Sequence, residues 1–268
     1  MIKTRKILSL LTVVIAMTTL VQFAGCKKDE PARKTEYSLL VKDVLGVTGT
    51  ATVTETSSTS ITIDIQLFGA PSGSHPAELC MNTAVEGGNV VATLNPVDAS
   101  GTSSTKITTI TYSQMIAYDG FIKVTKSSSE PNVILAQGDI GGNVITTTNK
   151  SYALQTIGTF GVSGNALFEK RVNGNTLVTI SLTGTIEGQS YPASINLSSI
   201  STVGGGPVMK LLNNVDGTTG KSYTNIRTLD SGLTITYENW LVYQGYINIY
   251  QNSVNIDNII CHGNIGSN

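Results

Sequence analysis

Ile61, Ile63, Ile65 and Leu67 alternate with Thr62, Asp64 and Gln66 along the chain. Ala51 and Val53 alternate with Thr52 and Thr54 just before them, and Leu177, Ile180 and Leu182 lie in a matching run further on. A period of two gives a strand one buried and one wet face. Turn-forming clusters punctuate these runs at Gly69 to Gly73, Glu86 to Asn89 and Gly204 to Pro207. Many short strands separated in this way predict a β-sandwich. One short helix is predicted at each of two places. Thr111 with Gln114, and Thr236 with Asn239, have capping-box spacing, although Asn is a weaker partner than Gln. Tyr112, Met115 and Ile116 would share one helix face, as would Tyr237, Trp240 and Leu241. Gly120 and Gly245 are placed to stop these helices in a left-handed turn, after which the chain returns to strand. Each helix is expected to plug one end of a sandwich.

The chain is written twice. Residues 111–143 align without a gap on 236–268, so that Thr111, Tyr112, Tyr118, Gly120, Gly138, Gly141 and Asn143 recur as Thr236, Tyr237, Tyr243, Gly245, Gly263, Gly266 and Asn268. Upstream, 60–77 answers 176–193, and 95–103 answers 213–222. A fixed-spacing duplication of this size predicts two copies of one unit. The copies span 36–146 and 150–268, with the polar stretch TTTNKS (146–151) as their joint and no third domain expected.

The amino terminus is different. Lys3, Arg5 and Lys6 precede an uncharged apolar run, 7–23, and Ala24, Gly25 and Cys26 follow. A basic start, an apolar core and small residues before a cut make a secretory signal, here 1–25. The run is at the short end of what a spanning helix needs. Ala24-Gly25-Cys26 resembles the bacterial lipobox. That resemblance implies a diacylglycerol on the Cys26 sulfur, cleavage before it, and acylation of the new amino terminus by a fatty acid such as palmitate. Several acyl chains anchor stably where one is marginal. Lys27, Lys28, Asp29 and Glu30 follow, a run similar to the surface-export tag of Bacteroidota lipoproteins. Residues 26–35 are therefore expected to be a lipidated tether at the outer membrane, facing the cell exterior, with a periplasm-facing anchor as the alternative.

Charge narrows the partners. The chain has 17 Lys and Arg against 18 Asp and Glu, a formal net charge of −1. Residues 1–25 hold three of the bases and no acid, so 26–268 carries −4. Nucleic acid needs concentrated positive charge and is excluded as a partner. Of the 3 cysteines, Cys26 is the anchor, leaving Cys80 and Cys261. An oxidising envelope would permit them to pair, but two distant cysteines do not establish a bridge, and two buried thiols are expected.

Gly73-Ser74-His75-Pro76-Ala77, Asn95-Pro96-Val97-Asp98, Tyr118-Asp119-Gly120-Phe121-Ile122 and Ala136-Gln137-Gly138-Asp139-Ile140-Gly141 together resemble the CHRD (chordin-like) domain of Bacteroidota lipoproteins. The second copy is similar through Tyr191-Pro192-Ala193, Val215-Asp216-Gly217 and Gly263-Asn264-Ile265-Gly266. The resemblance implies an extracytoplasmic all-β chain of two immunoglobulin-like or dismutase-like Greek-key β-sandwich domains. It implies no settled activity. The family's His-Ile-His and Asn-Val-His strand motifs are absent. Glu78-Leu79-Cys80 and Ser194-Ile195-Asn196 stand at the first place, Lys123-Val124-Thr125 and Asn248-Ile249-Tyr250 at the second.

Candidate chemistry is sparse. The only histidines are His75 and His262, at non-equivalent positions in the two copies. A catalytic metal wants about three protein ligands. His75, Glu78 and Cys80 are the candidates, set against a capped strand end with a buried thiol. Strand alternation points His262 and Cys261 apart. No Gly-x-Ser-x-Gly elbow frames a serine nucleophile. Asp98 and Asp216 are expected in Asx turns rather than calcium sites. Asp119, Asp139, Asn264 and the Gly138/Gly263 pair are expected to shape turns and strand ends. Tyr237, Trp240, Tyr243, Tyr246 and Tyr250 would either form a sugar platform, with Trp240 and Tyr246 in contact, or pack in the core. The reading is a non-enzymatic binding or scaffolding module with no cofactor beyond the lipid. It would offer loops 69–76, 84–89, 98–104, 186–190 and 201–207 to a protein or glycan partner. A metal-binding envelope protein or enzyme of dismutase-like fold is the alternative, and a glycan-binding surface protein the second.

Overall fold

The computed structural model describes residues 31–254 and 257–268. The signal 1–25, Cys26 and tether residues 27–30 lie outside the described residues. Residues Lys34–Asn268 form one compact unit.

The regular structure of this unit is nearly all strand. Its first half holds β1 (Lys34–Val41), β2 (Thr48–Ser57), β3 (Ser60–Phe68), β4 (His75–Met81), β5 (Val90–Val97), β6 (Thr102–Ile107), helix α1 (Tyr112–Ile116), β7 (Asp119–Ser127) and β8 (Glu130–Gly141). The second half holds β9 (Ile145–Thr156), β10 (Ser163–Arg171), β11 (Thr176–Thr183), β12 (Ser190–Leu197), β13 (Val208–Asp216), β14 (Lys221–Ile226), helix α2 (Tyr237–Leu241), β15 (Gln244–Tyr250) and β16 (Ile259–Gly266). The first eight strands form one sheet in the order β5-β4-β7-β8-β1-β2-β3-β6. The second eight close into a barrel, β10-β11-β14-β13-β12-β15-β16-β9. Both follow one strand order, position for position. The second closes because β13 meets β14 through Asp216 and Lys221.

Each half has its own core. Ile61, Ile63, Ile65 and Leu67 point inward from β3, while Asp64 and Gln66 point out, as the alternation predicts. They pack with Leu39, Leu79, Met115 and Ile122. In the second half Phe168, Ile180, Ile195, Ile247, Cys261 and Trp240 form a separate cluster. Each such side chain contributes about 1.5–3 kcal/mol on burial.

Both helices form where their capping boxes lie. Thr111 accepts from the Gln114 amide and Thr236 from the Asn239 amide, and each partner side chain bonds back to the cap's own N–H. Met115 and Trp240 are driven into the cores, whereas Ile116 and Leu241 stay partly exposed. The helices end without a left-handed glycine, at Ala117 and Val242. Gly120 and Gly245 sit instead inside β7 and at the start of β15, where a Cβ would strike the rings of Tyr118 and Tyr243. Each Tyr-x-Gly is a ring laid over its own strand. Left-handed backbone falls on Gly141 and Gly266, at φ 58 and 70°.

Three further expectations are corrected. The expected joint 146–151 is strand, not linker: it lies in β9, which pairs with β10 and β16. Its threonines favour extended backbone as readily as they favour exposure. The first strand starts at Lys34, inside the expected tether. Gly138 and Gly263 are not turn residues but lie in β8 and β16, where the carbonyls of Ser38 and Ala153 approach too closely for a side chain.

Candidate functional site

Polar side chains that do not serve either core gather where the two halves meet. Arg171, at the end of β10, has a fully buried side chain. Its Nη1 donates to Asp139 Oδ2 at 2.9 Å and to the Asn143 carbonyl. Asp139 Oδ1 accepts from the Ala84 amide at 2.7 Å, which ties the β4–β5 loop to the same point. That loop crosses to the second half: Glu86 Oε1 accepts from the Asn225 amide at 2.7 Å. Asp119 accepts from the Asn173 side chain, and Arg227 Nη1 lies 3.7 Å from its other oxygen. Asp119 opens β7, at a strand end as expected, and both it and Asp139 also bridge the halves. Loop 84–89, expected to be free for a partner, is held in the same junction.

Beside this junction lies a cleft of about 320 Å3 that takes walls from both halves. Asn82 and Asp119 come from the first half, and Asn175, Lys210, Asn225 and Arg227 from the second. Asn82 has left-handed backbone, φ 65°, at the exit of β4. Lys210 Nζ donates to Asp230 at 2.8 Å. Burial alone would push the Asp230 carboxyl up, but the Lys210 side chain and the Leu211 amide outweigh it and hold the group below the usual carboxylate range.

The candidate metal set does not assemble. His75 is buried at the start of β4, not in an open turn, and its ring nitrogens lie 2.6 Å from the Lys126 carbonyl and 2.8 Å from that of Pro71. A metal would have to displace one of them. Glu78 is 2.8 Å from Lys123 Nζ. Cys80 is fully buried, and burial raises its thiol pKa. Cys261 is likewise buried and its pKa is pushed up to about 12, and both thiols are free. His262 faces away from it, half buried, and burial lowers the imidazole pKa.

Asp98 and Asp216 make the expected Asx turns. Asp98 Oδ1 accepts from the Ser100 and Thr102 amides, and Asp216 Oδ1 from those of Thr218 and Thr219. Asn264 pins a loop, accepting from the Ile200 amide at 3.0 Å. Trp240 is wholly buried, with Phe168 and Tyr243 edge-on at 5.9 and 4.9 Å between centroids. Tyr246 is 5 % exposed and its hydroxyl accepts from the Gly206 amide. Neither ring offers a face to a sugar in solution; Tyr237 is buried as well, whereas Tyr243 and Tyr250 are half-buried.

Sequence reasoning missed Arg171, Glu86 and Asn175. The one signal available was divergence between copies: Asp119 and Asp139 align with Gln244 and Asn264, so the junction's carboxylates lie where the duplication breaks. No family model matches the chain, and neither a curated protein nor a solved structure is significantly similar to it.

Proposed function

We propose that the chain is a lipid-anchored protein of the outer membrane, facing the cell exterior, which acts as a non-catalytic binding or scaffolding module. In this reading Cys26 carries the lipid and the two copies are CHRD-like Greek-key units of sandwich type. The observation that carries it is the junction. A buried Arg171 held by Asp139 joins the halves and leaves a polar cleft between them. Two cores locked together present such a surface with little conformational cost, which is what a binding module requires. The occupied ring nitrogens of His75 weigh against a dismutase-like metal site built on that residue.

Metal analysis of the full chain purified without an affinity tag tests the choice, together with the mass of its amino-terminal peptide. The expected result is substoichiometric copper and zinc and a multiply acylated Cys26. Stoichiometric, tightly held metal would overturn the module reading, and an unmodified Cys26 would overturn the anchor.

A further inference from the structure

The geometry points to the cleft at the junction as a binding site for one neutral saccharide unit. The inference rests on the binding-module reading and gives that module its ligand class. The cleft, about 320 Å3, lies at the small end of ordinary ligand pockets, about 300–1,000 Å3. It has room for a mono- or disaccharide and not for a folded partner.

The chemistry of the walls selects the ligand. Asn175, only 7 % exposed, lines the cleft, and on the same wall the side-chain oxygen of Asn225 is buried with no hydrogen-bond partner among the described residues. A buried amide is ordinarily satisfied, so one left open on a cleft wall is a place for a ligand. Asn82 makes only a marginal bond, 3.5 Å to the Gly87 carbonyl. Arg227 is 70 % exposed and held loosely, its Nη1 3.7 Å from Asp119 Oδ2. That distance is too long for a hydrogen bond, so both groups have capacity to spare. The cleft thus offers an acceptor in Asp119, donors in Arg227, and groups of both kinds in the amides. An anion only accepts, and would lie against Asp119. An ammonium only donates, and would lie against Arg227. A hydroxyl does both, and vicinal hydroxyls match a carboxylate beside a guanidinium. The charges also balance, since Lys210 is paired with Asp230.

The site exists only because the halves are joined. Asn82 and Asp119 stand on one, Asn175 and Arg227 on the other. The second copy has Gln244 where the first has Asp119, so no equivalent cleft is repeated.

The test uses the full chain in detergent on an array of immobilised glycans, and in titrations with hexoses, N-acetylhexosamines and deoxyhexoses. Sulfate and phosphate serve as anionic probes. A saccharide is expected to bind, and Arg227→Ala to weaken it about tenfold or more, as loss of a charged hydrogen bond does. Because Arg227 is exposed, the unfolding curve of that variant should match the parent's. Asn175→Ala provides a second reading, accepted only where its unfolding curve is also unchanged. Saccharide binding that survives Arg227→Ala overturns the assignment, as does an anion binding in its place. No saccharide binding at all, in protein free of stoichiometric metal, also overturns it while leaving the module reading standing.

Discussion

Asp98 and Asp216 show what single side chains contribute here. Asp98 Oδ1 takes the Ser100 hydroxyl at 2.6 Å and the Ser100 amide at 2.9 Å, while Asp216 Oδ1 takes the Thr218 and Thr219 amides at 2.8 Å each. Hydrogen bonds to the charged form, led by the Ser100 hydroxyl for Asp98 and the Thr219 amide for Asp216, hold both carboxyls below the ordinary aspartate value. A folded-state pKa that is depressed contributes stability above the unfolded value, about 3.9, and that stability is lost as pH falls through the folded value. The double variant Asp98→Ala, Asp216→Ala should therefore be less stable than the parent at pH 7, with the gap narrowing toward pH 3. Urea midpoints at the two pH values check this. A gap that stays constant with pH would mean that the turns gain nothing from the ionised form.

At the scale of elements, several side-chain contacts recur in both copies. β5 and β6 are the two ends of the first sheet, and unpaired edges are a liability. Asn95 closes the gap: its Nδ2 donates to the Ser104 carbonyl at 2.6 Å and its amide to Thr105 Oγ1 at 2.8 Å. Asn213 does the same in the barrel, with the Tyr223 carbonyl at 2.6 Å and Thr224 Oγ1 at 2.9 Å. Asn143 and Asn268, the last residues of the matched segments, donate to the carbonyls of Asn82 and Ser198, the two non-glycine residues with positive φ among the described residues. Side-chain stitches thus stand in for ladder bonds. Asn95→Ala and Asn213→Ala should each cost about 0.5–1.5 kcal/mol and speed amide exchange selectively in the strands they join. Denaturation and hydrogen exchange measure the two effects; protection unchanged along β5, β6, β13 and β14 would refute the stitch. Much of this level was legible in the sequence. Alternation at Ile61 to Leu67 placed a strand, and Thr111 and Thr236 placed the helix starts. Asn95-Pro96-Val97-Asp98 marked a repeated turn, though not that its Asn sews two edges. The reach of an amide across strands depends on register, which a linear pattern does not contain. Gly120 misled for a related reason: it follows a helix, but the ring of Tyr118 decides its use. The junction was hidden most deeply. Arg171, Asp139 and Glu86 belong to no period, and only the assembled halves bring them together.

The molecule as a whole is held by that junction, and its logic is asymmetric. Each half has its own core, so each contains what is needed to unfold separately. What couples them is polar: the Arg171–Asp139 pair, the Glu86–Asn225 bond, and the Val172 and Asn173 amides on the carbonyls of Val144 and Gly142 at 3.0 and 3.1 Å. A buried ion pair adds little over a well-packed apolar pair, but removing one partner leaves a charge with nowhere to go and costs about 3–5 kcal/mol. Arg171 is the more vulnerable to this effect, since its Nε and Nη2 already have no hydrogen-bond partner among the described residues. Asp139→Ala should therefore strip the junction, whereas Asp139→Ala combined with Arg171→Met should restore much of the loss by removing the stranded charge. In calorimetry the parent is expected to unfold in one transition. Asp139→Ala should separate it into two, as the barrel and its neighbour melt independently, and the double variant should draw them together again. A single unshifted transition in Asp139→Ala would show that the cores communicate by some other contact. The saccharide cleft shares these walls, so binding in it should favour the joined state and raise the first of the two transitions in Asp139→Ala.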